Sequence, residues 1–141
     1  MTLEAKAVVS EDLMFMVVDD DPILVHALAF ALRPLGKVAF SKDLDSVHVS
    51  AAIARPRVML IDIDLPLVTG IEIARRIRSN PDMDSVYILM MSSHRTDAML
   101  KQVAQLDVDG FLEKPIDMPA LLARVRAFLD APRHGPRSSG N

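Results

Sequence analysis

Three unbroken apolar runs restrict what this chain can fold into more than any other feature. They are "LMFMVV" (Leu13–Val18), "VMLI" (Val58–Ile61) and "VYILMM" (Val86–Met91). A strand with one wet face alternates apolar and polar residues, and these runs do not. A membrane span needs roughly 18 apolar residues, and no run approaches that. Short continuous runs fit strands buried on both faces of a parallel sheet. "KVAF" (Lys37–Phe40) and "GFLE" (Gly110–Glu113) are shorter candidates.

Parallel strands need crossovers, and the intervening segments carry helical spacing. Ile23, Leu24, Ala27, Leu28, Ala31, Leu32 and Leu35 form one stripe, with Gly36 as its C-cap. Ile73, Ala74 and Ile77 form a second, with Arg75, Arg76 and Arg78 on the wet side. Met118, Leu121, Leu122, Val125, Phe128 and Leu129 form the clearest stripe. Weaker patterns cover Leu44–Ala54 and Thr96–Leu106. The expected fold is α/β: a doubly wound, five-stranded parallel sheet built from five β-α units. The methionines at Met14, Met16, Met59, Met90 and Met91 read as core filler.

Composition narrows the function. The chain of 141 residues has the length of one domain, and its net charge is −3. Nonspecific nucleic-acid binding needs a basic surface, so none is expected. No membrane segment or signal peptide is read, and the expected location is cytoplasmic. The absence of cysteine excludes disulfides, thiol catalysis and cysteine-ligated zinc. The four histidines share no spacing that suggests a zinc site. Residues 1–11 read as an N-terminal extension, 12–132 as the domain, and 133–141 as a disordered tail of Pro, Gly, Ser and polar residues.

In doubly wound sheets, ligands bind beyond the carboxyl ends of the strands, where strand order reverses. Counting the five strand candidates in chain order, Asp19, Asp20 and Asp21 follow the first, Asp62 and Asp64 the third, Ser92 and Ser93 the fourth, and Lys114 and Pro115 the last. Clustered carboxylates repel each other, and a divalent cation relieves that. An all-oxygen set suits Mg2+. A carboxylate can also act as a nucleophile and form an aspartyl-phosphate. Cations and hydroxyl donors such as Lys114 and Ser92 then suit the phosphoryl oxygens. Asp21 followed by Pro22 reads instead as the start of the next helix.

The motifs "VVDDDP", "VMLIDIDLP", Gly70, "ILMMSS" and "GFLEKP", in this order, resemble the receiver domain of two-component response regulators. The resemblance implies a flavodoxin-like receiver fold of (βα)5 type, acting as a stand-alone domain. It implies Asp62 as phosphoacceptor, Asp19 and Asp20 as the acidic pair for Mg2+, and Asp64 as supplier of a backbone carbonyl to the metal. It further implies Ser92 and Lys114 as phosphoryl-binding groups, Phe111 as a switch aromatic, and a cis Lys114–Pro115 bond. Asp64 and His94 match positions that tune dephosphorylation in relatives, where they either place a water or face solvent. Two departures stand out: Thr69-Gly70 where Asp-Gly is common, and Ser93 where Ala or Gly is usual.

The implied function is a phosphorylation-controlled switch rather than a turnover enzyme. Its phosphoryl donor would be a sensor histidine kinase or a histidine phosphotransfer protein. The output would be contact with an unidentified protein through the fourth helix, fifth strand and fifth helix, with Met99 and residues 95–105 on that face. A homodimer formed on phosphorylation is a further outcome it allows. With no output domain, a DNA-binding regulator is expected only if the chain is a fragment. The alternative is a degenerate receiver that binds proteins independently of phosphorylation. A phosphohydrolase of the haloacid dehalogenase type fits poorly, because its Asp-x-Asp follows the first strand and here "DID" follows the third.

Overall fold

Each apolar run becomes a strand. The computed structural model describes residues 14–41, 55–66 and 68–131. In chain order the elements are β1 (Phe15–Val18), α1 (Pro22–Leu32), β2 (Val38–Ser41), β3 (Val58–Asp62), α2 (Gly70–Arg78), β4 (Tyr87–Ser92), α3 (Asp97–Ala104), β5 (Gly110–Glu113) and α4 (Met118–Asp130). The helical pattern at Leu44–Ala54, the N-terminal extension at 1–11 and the tail at 133–141 lie outside the described residues. Among the described residues, no helix is long and apolar enough to cross a membrane.

The five strands pair in parallel, in the order β2-β1-β3-β4-β5. Alternate residues of each run face opposite layers, which is why the runs are unbroken. Met16, Val18, Met59, Ile61, Ile88 and Met90 pack on one side with Ile73, Ile77 and Val103 from α2 and α3. Phe15, Val17, Val58, Leu60, Leu89 and Met91 pack on the other with Val25, Leu28, Leu121 and Val125 from α1 and α4. The methionines in the strands serve as core, as their positions suggested.

Local chemistry fixes the helix starts. Asp21 Oδ1 accepts the Ile23 N–H at 3.0 Å, with Pro22 in the first turn of α1. Thr69 Oγ1 accepts the Glu72 N–H, so Thr69 caps α2. Gly70 follows it because a Cβ there would collide with the carbonyl oxygen of Asp62. Thr96 and Asp117 cap α3 and α4 in the same way.

Three sequence expectations change. Gly36 does not cap α1; the helix ends at Leu32, and Gly36 closes a following 3-10 turn at Arg33–Leu35. Pro34 lacks the N–H that an α-helix would need there. Arg78 is not on the wet face of α2. Its side chain is 9% exposed and lies 3.2 Å from Asp109. It also donates to the carbonyls of Asp107, Met83 and Val86. Met99 is buried against the sheet rather than part of an outer face.

Candidate functional site

Strand order reverses between β1 and β3, on either side of which the later strands run outwards. β1 delivers Asp19 to that point and β3 delivers Asp62. Both are buried, at 3% exposure each. Asp20 is exposed beside them. One carboxylate oxygen from each of Asp19, Asp20 and Asp62 falls within 4.8 Å of the others. Three oxygens converging on one point, two of them from buried groups, fit a hard divalent cation such as Mg2+.

Lys114 reaches the same place from the end of β5. Its Nζ lies 2.9 Å from Asp19 Oδ2 and 3.3 Å from Asp62 Oδ1. The Lys114–Pro115 bond is cis, as the resemblance implied. Burial pulls the Lys114 ammonium down, but its hydrogen bond to Asp19 and the charges of Asp62 and Asp19 outweigh that, and its pKa is raised. Lys114 is therefore a fixed cation in the site.

Asp62 is held differently. Burial holds its carboxyl above the ordinary value of 3.8. The Asp64 N–H pulls it back, the Asp19 charge pushes it up again, and Lys114 opposes that rise. The Asp64 N–H donates to Asp62 Oδ1 at 3.1 Å. Asp19 is likewise anchored, accepting the Asp21 N–H at 2.9 Å. The loops after β1 and β3 thus aim their carboxylates by short backbone turns.

Asp64 carries its side chain away from the acidic cluster. Its Oδ2 accepts the Ser92 hydroxyl at 2.7 Å. His94 Nδ1 lies 3.5 Å from the same oxygen, on an exposed ring. The His94 backbone N–H donates to Ser92 Oγ at 2.9 Å. Ser92, which ends β4, is fully buried, whereas Ser93 is exposed. Phe111 on β5 is half-buried, pairs in register with Met90, and packs against the layer that holds Met99 and Val103. Arg95 and Glu113 approach to 3.7 Å across the rim, both well exposed.

All of the sequence-selected residues therefore gather at one rim, with Phe111 beneath it. Sequence reasoning missed the bond between Ser92 and Asp64. They are 28 residues apart on different loops, and no local pattern marks the pair.

Comparison with known proteins identifies the family and the fold. The family model described as the response regulator receiver domain matches residues 15–126. The response regulator MprA of Mycobacterium sp. (strain KMS) is 35% identical over 131 residues, covering 87% of this chain and 54% of that protein. The probable transcriptional regulatory protein TcrX of Mycobacterium tuberculosis is 30% identical over 118 residues, covering 81% of this chain and 48% of that protein. The chain spans about half the length of the curated relatives it matches. Among solved structures, the BeF3-activated DrrB receiver domain superposes with a TM-score of 0.75 at 24% identity, over 84% of this chain and 98% of that one. Chemotaxis protein CheY4 of Vibrio cholerae gives 0.75 at 21%, over 82% and 98%. At such identities these two show the fold, the five-stranded flavodoxin-like arrangement. On the family match over residues 15–126, the chain belongs to the response regulator receiver domains of two-component systems.

Proposed function

We propose that Asp62 is the phosphoacceptor of this domain and that its phosphorylation switches a protein-binding face. The observation that carries the reading is the setting of Asp62. It ends a central strand at the point of strand reversal, 3.3 Å from a fixed lysine and grouped with Asp19 and Asp20.

The donor is a phosphohistidine, on a sensor histidine kinase or a phosphotransfer protein. An Asp62 carboxylate oxygen attacks phosphorus, an O–P bond forms, and the N–P bond breaks with its electron pair left on the imidazole. Lys114 supplies a cation for the phosphoryl oxygens and stays charged because its pKa is raised. Ser92 supplies a hydroxyl donor. Asp19, Asp20 and Asp62 would hold Mg2+, with the Asp64 backbone carbonyl as a further ligand. The ion would neutralise charge on the transferring group.

Movement of Ser92 towards the phosphoryl group would shift its loop and repack Phe111 below α3. The α3-β5-α4 face would then change its affinity for a partner protein. Asp64 and His94 would tune the lifetime of the acyl phosphate. The domain would act in the cytoplasm as a switch and not as a turnover enzyme. A pull-down with the beryllofluoride-bound domain, set against Asp62→Ala, tests the output. A protein retained only by the beryllofluoride form supports it. Equal retention by both forms would favour a phosphorylation-independent binding module instead.

A further inference from the structure

A serine hydroxyl has one proton to donate, and the proton of Ser92 is already committed. Ser92 Oγ donates to Asp64 Oδ2 at 2.7 Å and accepts the His94 N–H at 2.9 Å. A short bond to an ionised carboxylate belongs to the stronger class of hydrogen bonds. Asp64 itself bridges two parts of the site. Its backbone N–H holds Asp62 Oδ1, while its side chain holds Ser92. That side chain is 40% exposed, so it is free to swing outwards. Ser92 is fully buried.

We propose that Asp64 is a positioning residue that latches the resting state: its carboxylate competes with a phosphoryl group on Asp62 for the Ser92 hydroxyl. The proposal rests on the reading of Asp62 as acceptor and Ser92 as a phosphoryl-binding group. For Ser92 to donate to a phosphoryl oxygen, the Ser92–Asp64 bond must break. Negative charge arriving on Asp62, two residues away, repels the Asp64 carboxylate and helps release it. His94, 3.5 Å from Asp64 Oδ2, adds a second contact on the latch. The ease of switching then depends on a bond made before phosphorylation, separately from any effect of Asp64 on hydrolysis.

A readout without hydrolysis isolates the effect. The Mg2+-loaded protein is titrated with beryllofluoride, followed by the amide NMR shifts of Ser92, Phe111 and Lys114. Four forms are compared: wild type, Asp64→Ala, Ser92→Ala and the double variant. Losing the latch should tighten binding by about five- to tenfold in Asp64→Ala, the scale of one charge-assisted bond at a half-open site. In the Ser92→Ala background, the same substitution should tighten binding by about twofold or less, the share owed to charge repulsion alone. Asp64→Asn keeps an acceptor for the hydroxyl and should fall between wild type and Asp64→Ala. Equal gains in both backgrounds would show that Asp64 acts by charge alone and would overturn the latch. Weaker binding by Asp64→Ala would overturn it too. Failure of the wild type to bind beryllofluoride at all would instead remove the acceptor reading, and the latch with it.

Discussion

Asp62 is placed where its charge is useful for chemistry and costly for folding. Its pKa in the folded domain lies above the ordinary value of 3.8, mainly through burial. Its protonated form is therefore the one the fold tolerates better. The stability it contributes is present at pH below that ordinary value and is lost as pH rises through the raised one. At neutral pH the ionised side chain destabilises the metal-free domain. Asp62→Asn, uncharged and of the same shape, should therefore raise the melting temperature in EDTA at about pH 7. The gap should close as pH falls through the raised value towards about pH 4. Lys114 keeps its shorter contact, with Asp19, in that variant. Thermal scans of both proteins across this range check the sign, and a less stable Asn variant at neutral pH would contradict it. At this scale, residue types and order were enough to select Asp19, Asp20, Asp62, Ser92 and Lys114. Which oxygen meets which donor was not legible. The Ser92–Asp64 bond and the Arg78–Asp109 pair join residues 28 and 31 positions apart, and spacing along a chain carries no trace of such contacts.

The elements are more legible than their ends. Continuous apolar runs became doubly buried strands because period-2 geometry sends neighbours to opposite layers, and helices cover both. Ends depend on single residues. Pro34 converts the end of α1 into a 3-10 turn, so Leu35 and Gly36 leave the helix that their spacing suggested. Arg78 was read as wet because arginine usually is, yet it is half-buried and held through four donor contacts. The start of α2 matters most for the site, since Gly70 packs directly on the Asp62 backbone. Gly70→Ala must push α2 from β3 or distort the acceptor loop. It should cost about 1–3 kcal/mol by urea denaturation, the range for an overpacked site. It should also broaden or shift the Asp62 and Asp64 amide resonances. A variant within about 0.5 kcal/mol of wild type would show that the close approach is not required.

For the whole molecule, the sheet is a shared wall between two cores. Leu60 lies in its middle at 0% exposure, packed with the α1 and α4 layer. Leu60→Ala should cost about 2–5 kcal/mol. Its denaturant slope should stay unchanged, because both layers unfold with the sheet. A much smaller loss would mean that the layer can collapse around the gap. The strand order also explains why the functional residues meet. Asp19, Asp62, Ser92 and Lys114 stand at the carboxyl ends of four different strands, and only the parallel arrangement puts all four at one rim. That convergence was legible from the sequence once the runs were read as parallel strands. The downstream partner was not, because a binding face is recognised by its complement.

The central claim is that Asp62 takes the phosphoryl group. The most direct measurement treats the protein with acetyl phosphate or phosphoramidate, reduces the acyl phosphate with borohydride, and maps the trapped site by peptide mass spectrometry. The account predicts modification at Asp62 in the presence of Mg2+, its loss with EDTA, and none in Asp62→Asn. Modification at Asp19 or Asp20, or undiminished labelling of Asp62→Asn, would contradict it.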